Sequence, residues 1–297
     1  MSKFVALLAS GLAEGAIAAL AAVGFLLTYK ATGVVNFAQG ALITLGAYLA
    51  IWITQNRGMF GWGQLDLVPG YLVTILIMFV VGLVLERLAY APLRGRPLEV
   101  VVIATLGASI VVSAFIGLWQ GSTPKYLDSP VQGKVIHLFG ANIEQQRALV
   151  IAATAVVVIA IMLLFSRTQF GRQLRATAAD RDTARLCGVP VNALSMIAFG
   201  LSAALAGLAG VLLAPLGSVD INFGFNIMLL GFAAAVLGGF GSIGGVVAGG
   251  VAIGVVEQVL GGYVLRDYSN AFPFVLMLLV IALRPQGLFS RGATRRL

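Results

Sequence analysis

Between Arg147 and Arg167 the chain reads Ala148-Leu-Val-Ile-Ala-Ala-Thr-Ala-Val-Val-Val-Ile-Ala-Ile-Met-Leu-Leu-Phe-Ser166, nineteen residues without a charge. A helix rises about 1.5 Å per residue, so such a run covers the roughly 30 Å hydrocarbon core of a bilayer. The whole chain repeats the message. Of its 297 residues, 60% are hydrophobic and only 10% are charged, and the mean hydropathy is +1.00. A soluble domain carries about a quarter charged residues. So few charges cannot cover a water-facing surface, which makes lipid the solvent for most of this chain. The expected fold is all-α: a polytopic transmembrane helical bundle of about eight to nine membrane segments.

Working outward, the segments fall at 8–28, 36–54, 70–90, 98–118, 148–166, 193–214, 225–241, 244–262 and 269–284. Three polar breaks separate them: Trp119 to Arg147, Arg167 to Asn192, and the tail after Arg284. The opening run, Phe4 to Thr28, is too long for a secretory leader and reads as a retained first helix. If every segment crosses once and the 167–192 loop is cytoplasmic, 13 of the 19 basic residues lie inside and 6 outside. That is the bias expected of cytoplasmic loops. It puts the C-terminus inside. The N-terminus is outside if all nine segments span, and inside if one of them is re-entrant or broken, with 36–54 and the Gly-rich hairpin at 238–250 as the candidates.

The net charge of +8 fits the same bias, and no basic stretch interleaved with aromatics suggests nucleic acid. The 37 glycines suit close helix packing in lipid. Small-xxx-small faces occur at Gly11/Gly15, Gly245/Gly249 and Gly250/Gly254. A short internal echo links the first helix, Asn36-Phe37 and Gly46-Ala47 to the helix at Gly200, Asn222-Phe223 and Gly231-Phe232-Ala233. Halves of opposite orientation would make an inverted repeat of the kind found in transporters.

Catalytic chemistry finds few candidates. The single His137 lies in a loop, and the single Cys187 excludes an internal disulfide and multi-cysteine metal sites. Gly239-Phe-Gly241-Ser-Ile-Gly244, followed by Gly245, has dinucleotide-loop spacing but lies between membrane segments, so a tight turn or broken helix is expected. No phosphate-binding Gly-Lys-Ser/Thr loop exists, so ATP is not held that way. Glu14 and Glu257 are carboxylates inside segments, where ionisable groups are costly, and read either as part of a translocation path or as packing and hydrogen-bonding groups between helices. Glu86 beside Arg87 reads as an interfacial pair. Asn36, Gln39, Thr44 and Tyr48 place polar atoms near one helix start, for a translocation path or for hydrogen bonds to a neighbouring helix.

The sharpest signal is the loop Phe170-Gly-Arg-Gln-Leu-Arg-Ala-Thr-Ala-Ala-Asp-Arg-Asp-Thr-Ala-Arg-Leu-Cys-Gly-Val-Pro-Val-Asn192. Residues 172–187 suit one short helix with a modest apolar stripe of Leu174, Ala178, Ala184 and Cys187. Gly188 is placed to end it and Pro190 follows. Such a helix lies on lipid or docks into a partner.

These residues carry a resemblance. Asn36-Phe-Ala-Gln-Gly40, Gly46-Ala-Tyr48, the 172–191 loop, Ser202 to Val211, Phe232 to Gly245 and Arg284-Pro-Gln-Gly-Leu-Phe289 resemble the LivH-type permease subunits of the branched-chain amino acid ABC transporter family. The likeness runs over nearly the whole chain, and its specific parts are the loop and Ala233–Gly245. It implies one permease domain over 1–297 with a coupling loop at about 167–192, in a bacterial inner membrane. It also implies a homologous LivM-like permease, two LivG/LivF-like cytoplasmic ATPases carrying ATP and Mg, and an extracytoplasmic substrate-binding protein. No cofactor falls to this chain. In that role Ala178, Ala179 and Asp180, with the helix ending at Gly188, dock in an ATPase groove, while Arg172, Arg175, Arg181 and Arg185 meet acidic rim residues. The broader importer motif has Glu-Ala-Ala where this chain has Ala178-Ala179-Asp180, which bars transferring individual roles from that motif. Alternatives are the same class carrying urea, short amides or another small solute, and a stand-alone secondary transporter coupled through Glu14 or Glu257.

Overall fold

The structure, a computed structural model, describes residues 2–55, 66–121, 123–131, 135–138, 141–263, 272–284 and 287–288. Arg57, Lys134, Arg266, Arg291, Arg295 and Arg296 lie outside the described residues. The helices are α1 (Ser2–Thr32), α2 (Gln39–Gln55), α3 (Leu67–Leu85), α4 (Leu98–Gln120), α5 (Gln145–Arg167), α6 (Gln169–Ala179), α7 (Arg181–Leu186), α8 (Val191–Leu213), α9 (Phe223–Gly238), α10 (Ile243–Tyr263) and α11 (Phe272–Leu283). Six runs, at 3–32, 67–93, 98–120, 145–167, 191–216 and 243–263, are long and apolar enough to cross a membrane. Each coincides with an expected segment. One departure from helix is a small antiparallel hairpin, β1 (Val135–Leu138) and β2 (Ala141–Glu144), in the loop before α5. His137 lies there, paired with Asn142.

Helix ends follow local chemistry. Gly33, Gly121 and Gly239 adopt positive φ just past α1, α4 and α9, a conformation that costs glycine least. Beyond α3 the chain widens into a π-helical turn, Glu86–Tyr90, then tightens into a 3-10 turn containing Pro92. That bend brings Arg94 back to the fully buried Glu86 in a salt bridge. The partner of Glu86 is therefore Arg94 and not the adjacent Arg87. Successive residues point to different sides of a helix, and the π turn supplies the return.

The membrane segments alternate in direction. Lys3 Nζ donates to the Gly262 carbonyl (3.0 Å) and Lys30 Nζ to the Gly241 carbonyl (2.9 Å), so α1 and α10 are antiparallel along their full length. At the end marked by Lys30 lie the α9–α10 turn, the start of α8 (Ser195 Oγ to Ala31 O, 3.5 Å) and the end of α5. Past α11, Leu288 N donates to Leu237 O (2.8 Å), which brings the last described residue to the same end. At the opposite end are Lys3, Gln146 bonded to Leu212 O (2.9 Å), and the Lys125–Val219 bridge. Ser2 and Leu288 thus sit at opposite ends, as nine alternating segments require.

Two of those segments are broken in the middle of the bundle. α2 begins at Gln39, whose Nε2 donates to Ser202 O (3.3 Å) beside Gly24. Gly24 lies eight residues inside the end of α1, so α2 starts about 12 Å below that end. α9 likewise starts inside, where Gly224 N donates to Thr44 Oγ1 (2.9 Å). The two N-termini cross: a Cβ on Gly40 would lie 3.1 Å from Gly224 O, and one on Gly224 would overlap Gly40 O.

The packing around this crossing is reciprocal. α1 packs on α10 as α8 packs on α3, and α9 lies on α1 as α2 lies on α8. A Cβ on Gly46 would lie 2.5 Å from Gly207 Cα, and one on Gly231 would lie 2.6 Å from Ala21 Cβ. α1–α3 and α8–α10 are therefore related as an inverted repeat, and Gly46 and Gly231 are equivalent in it.

Candidate functional site

The loop between α5 and α8 gathers at the end where positive charge concentrates. Among the described residues, Lys30, Arg87, Arg94, Arg96, Arg167, Arg172, Arg175, Arg181, Arg185 and Arg284 lie at this end, against Lys3, Lys125 and Arg147 at the other. The loop is two helices instead of the single one expected over 172–187. The chain breaks at Asp180, which is extended (φ −156, ψ 112). Its Oδ1 accepts from the amides of Asp182 (3.0 Å) and Thr183 (3.1 Å), and the Thr183 hydroxyl donates to Oδ2 (2.6 Å). A carboxylate capping its own helix outcompetes continuation of α6. Those bonds, the Thr183 hydroxyl's first, hold the Asp180 carboxyl below the usual carboxylate range. Gly188, at φ +80, donates to Arg185 O (3.0 Å) and closes α7.

The loop's apolar residues divide between two sides. Leu174, Thr177 and Ala184 are buried against the chain's own bundle. Ala178, Ala179, Cys187 and Leu186 are exposed, Leu186 to 89%. The expected stripe of Leu174, Ala178, Ala184 and Cys187 is thus split: half of it anchors the loop and half faces outward. Leu186 was not singled out from the sequence. Its signal was an apolar residue off the stripe, and that becomes visible once the break rotates α7 relative to α6.

The four arginines differ in the same way. Arg172, Arg175 and Arg185 are exposed and Arg181 is half-buried. Arg175 bonds the Phe165 carbonyl at the end of α5. Arg181 turns inward to the Tyr90 hydroxyl (2.7 Å) and Ser195 Oγ (3.3 Å). A cavity of about 330 Å³ opens beside it, lined by Lys30, Thr32, Thr177, Ala178, Ala179 and Phe240 among others.

The second group of candidates sits at the helix crossing. Asn36, Gln39, Thr44 and Tyr48 are each at most 1% exposed. Ser202 Oγ stands 2.9 Å from both Gly24 O and Gln39 Oε1. Thr44 Oγ1 receives Gly224 N, and Tyr48 OH donates to Val219 O (3.2 Å). Asn36 Oδ1 accepts from Ala38 N (3.1 Å), while its buried Nδ2 has no partner. Gln39 and Thr44 bond to neighbouring helices and Tyr48 to the loop before α9, whereas Asn36 bonds only locally.

Glu14 and Glu257 lie on the α1–α10 interface. Glu14 Oε2 accepts from Gln258 Nε2 (2.7 Å), and buried Glu257 leaves Oε2 unpartnered. No cluster of three metal-ligating side chains occurs among the described residues.

The glycines complete the frame. Gly11 and Gly15 pack on Gly254 and Gly250, while Gly249 packs on Ala234 and Gly238, and Gly238 on Gly245. Gly239 turns the chain between α9 and α10, Gly241 has open space where a Cβ would stand, and a Cβ on Gly244 would make ordinary contact with Met162 Cε at 3.8 Å. The turn is flanked by α9 and α10 and not by a strand and a helix, so it is a helical hairpin.

Comparison with known proteins matches residues 7–281 to the family described as branched-chain amino acid transport system / permease component. The chain is 31% identical over 289 residues to the high-affinity branched-chain amino acid transport system permease protein LivH of Escherichia coli K12, covering 95% of this chain and 94% of that one. It is 34% identical over 295 residues to the permease protein BraD of Pseudomonas aeruginosa, covering 96% and 95%. A probable LivH of Methanocaldococcus jannaschii is 28% identical over 91% and 87%. No solved structure matches.

Proposed function

The chain belongs to the family of branched-chain amino acid transport system permease components, and from that premise we propose that it is the membrane-spanning permease subunit of an ATP-driven importer of branched-chain amino acids. What carries the reading is end-to-end likeness to proteins named for that transport. The chain is a multi-pass membrane protein. Its basic end, with the loop and Leu288, is the cytoplasmic one, and Lys3 lies outside, by the same charge bias that orients membrane proteins in general.

The partners follow from what the chain lacks and exposes. Two cytoplasmic ATPases hold ATP and Mg²⁺. A LivM-like second permease completes the path, and an external binding protein delivers the solute. The exposed Ala178, Ala179, Leu186 and Cys187, ringed by Arg172 and Arg185, form the ATPase-docking face: an apolar centre that loses water on contact, with charges at its rim. ATP binding favours one arrangement of the ATPases, and only its differential affinity for two permease states can move the bundle.

The test is transport in proteoliposomes containing this chain, the second permease and both ATPases. Labelled leucine should enter only with ATP on the loop side and binding protein on the other, and unlabelled isoleucine or valine should compete. Uptake by this chain alone on an ion gradient would refute the reading. ATP-driven uptake of urea or amides, with none of leucine, would keep the class and replace the solute.

A further inference from the structure

Arg181 opens α7 and sends its guanidinium away from the docking face, into the bundle. It donates to Tyr90 OH on one side and to Ser195 Oγ on the other. Ser195 in turn stands 3.1 Å from Val191 O and 3.5 Å from Ala31 O. One side chain thereby ties the loop to α3's π-helical turn, to the start of α8 and to the end of α1.

Tyr90 is held tightly. It is 3% exposed, its ring lies 5.4 Å from that of Phe199 in α8, and the Arg181 and Arg94 guanidiniums lie 5.9 and 6.0 Å from its centroid. Arg94 is fixed by Glu86. A planar guanidinium that donates two charge-assisted bonds in fixed directions transmits displacement better than a flexible ammonium on one bond.

Beyond the arginine the path is rigid. A Cβ on Gly82 would stand 2.8 Å from Gly200 Cα, and one on Gly207 would stand 2.7 Å from the Met78 side chain, so α3 and α8 pack closely, backbone against backbone at Gly82, and cannot slide freely. Seven residues past Ser195, Ser202 meets Gly24 and Gln39, the start of the broken helix α2. The π turn is a local insertion of the sort that re-aims side chains at functional places.

We propose that Arg181 is a positioning residue that couples motion of the α6–α7 loop to α3 and α8, so that a docked ATPase moves these helices together. This rests on the reading of the loop as the ATPase-docking segment. Arg181 acts through Tyr90 and Ser195 and touches neither solute nor ATPase.

The deciding experiment uses the assembled transporter with Arg181→Lys, Tyr90→Phe and the double variant. The readouts are ATPase co-purification, ATP hydrolysis, and solute moved per ATP. The ATPases should stay bound and hydrolysis should continue, while solute per ATP falls about tenfold in each single variant, the loss of one charge-assisted bond. The double variant should be no worse than either single, because both cut the same link. An unchanged ratio, or release of the ATPases, overturns the proposal.

A second measurement needs no transport. Cys187 is exposed and is the chain's one cysteine. With Cys187 and Leu88→Cys (Leu88 is 72% exposed, beside Tyr90) both spin-labelled, the distance distribution in the full chain should broaden in Tyr90→Phe. An unaltered distribution overturns the link. If the unmutated complex moves no solute with ATP, the functional reading fails, and the distance measurement still decides the link.

Discussion

Gly11 of α1 and Gly254 of α10 meet backbone to backbone: a Cβ on Gly11 would lie 2.8 Å from Gly254 O, and one on Gly254 would lie 2.5 Å from Gly11 O. Without water to drive association, helices in lipid gain stability by such close approach. Gly254→Ala must push the two helices apart and should cost about 1–3 kcal/mol, read as earlier unfolding of the purified chain in a denaturing-detergent titration. Gly244→Ala is the control. Its nearest neighbour would be Met162 Cε at 3.8 Å, and the gain in helix propensity should leave stability equal or raised.

Ser202 makes the next prediction. It joins α8 to Gly24 of α1 and to Gln39 at the start of α2. Ser202→Ala removes one interhelical bond and strips the fully buried Gln39 Oε1 of a partner. The expected loss is about 1 kcal/mol, near the measured range for polar bonds in membranes. The same titration checks it, and no change would mean that Gln39 finds another donor.

How far the sequence carried is visible in these sites. The glycine stripes could be read because small-xxx-small is a local pattern, and they pack where that pattern put them. The echo between Gly46 and Gly231 was legible for the same reason. What failed was non-local or competitive. Glu86 finds Arg94 only because a π turn and Pro92 fold the chain back on itself. Arg181 was grouped with the outward arginines because its partner, Tyr90, lies 91 residues away. The break at Asp180 had a local signal, an Asp three residues before Thr183, but with neither Gly nor Pro nearby the helical reading prevailed. Asn36, Gln39, Thr44 and Tyr48 announced a polar centre without saying that Gln39 and Thr44 are taken up by bonds to other helices.

Asp180 gives a pH prediction. Its carboxyl is held below the usual range by bonds that exist only when α7 is formed. Its contribution is therefore complete above the ordinary carboxylate pKa of about 3.9 and is lost as pH falls through the lowered folded value. A spin label on Cys187 should report an ordered α7 at neutral pH and mobility rising only below about pH 4. Asp180→Ala should be mobile throughout, and Asp180→Asn should be ordered without the acid transition. A mobility change near neutrality would assign the ordering to another group.

The docking face separates Arg185 and Leu186 from Arg181. Arg185 and Leu186 are exposed at the end of α7. Leu186→Asp puts a charge at the apolar centre and should weaken ATPase binding by about tenfold or more. Arg185→Glu should slow association and change its salt dependence, as rim charges do. Surface-immobilised permease with the ATPases in solution gives both. Binding indifferent to Leu186→Asp would place the docking face elsewhere.

Glu257 tests what drives transport. Its side chain is buried on the α1–α10 interface with Oε2 unpartnered, close to Glu14, which already holds Gln258. A secondary transporter would need such a carboxylate to take up and release a proton or ion in each cycle. A permease worked by ATP has no such need. Glu257→Gln keeps the shape and removes an ionisable group from beside Glu14. ATP-dependent leucine uptake should therefore continue at a similar rate, with an unchanged pH profile, and the protein should be at least as stable as before. Loss of uptake together with loss of its pH dependence would instead make the carboxylate part of the translocation cycle and return the stand-alone transporter as the better reading.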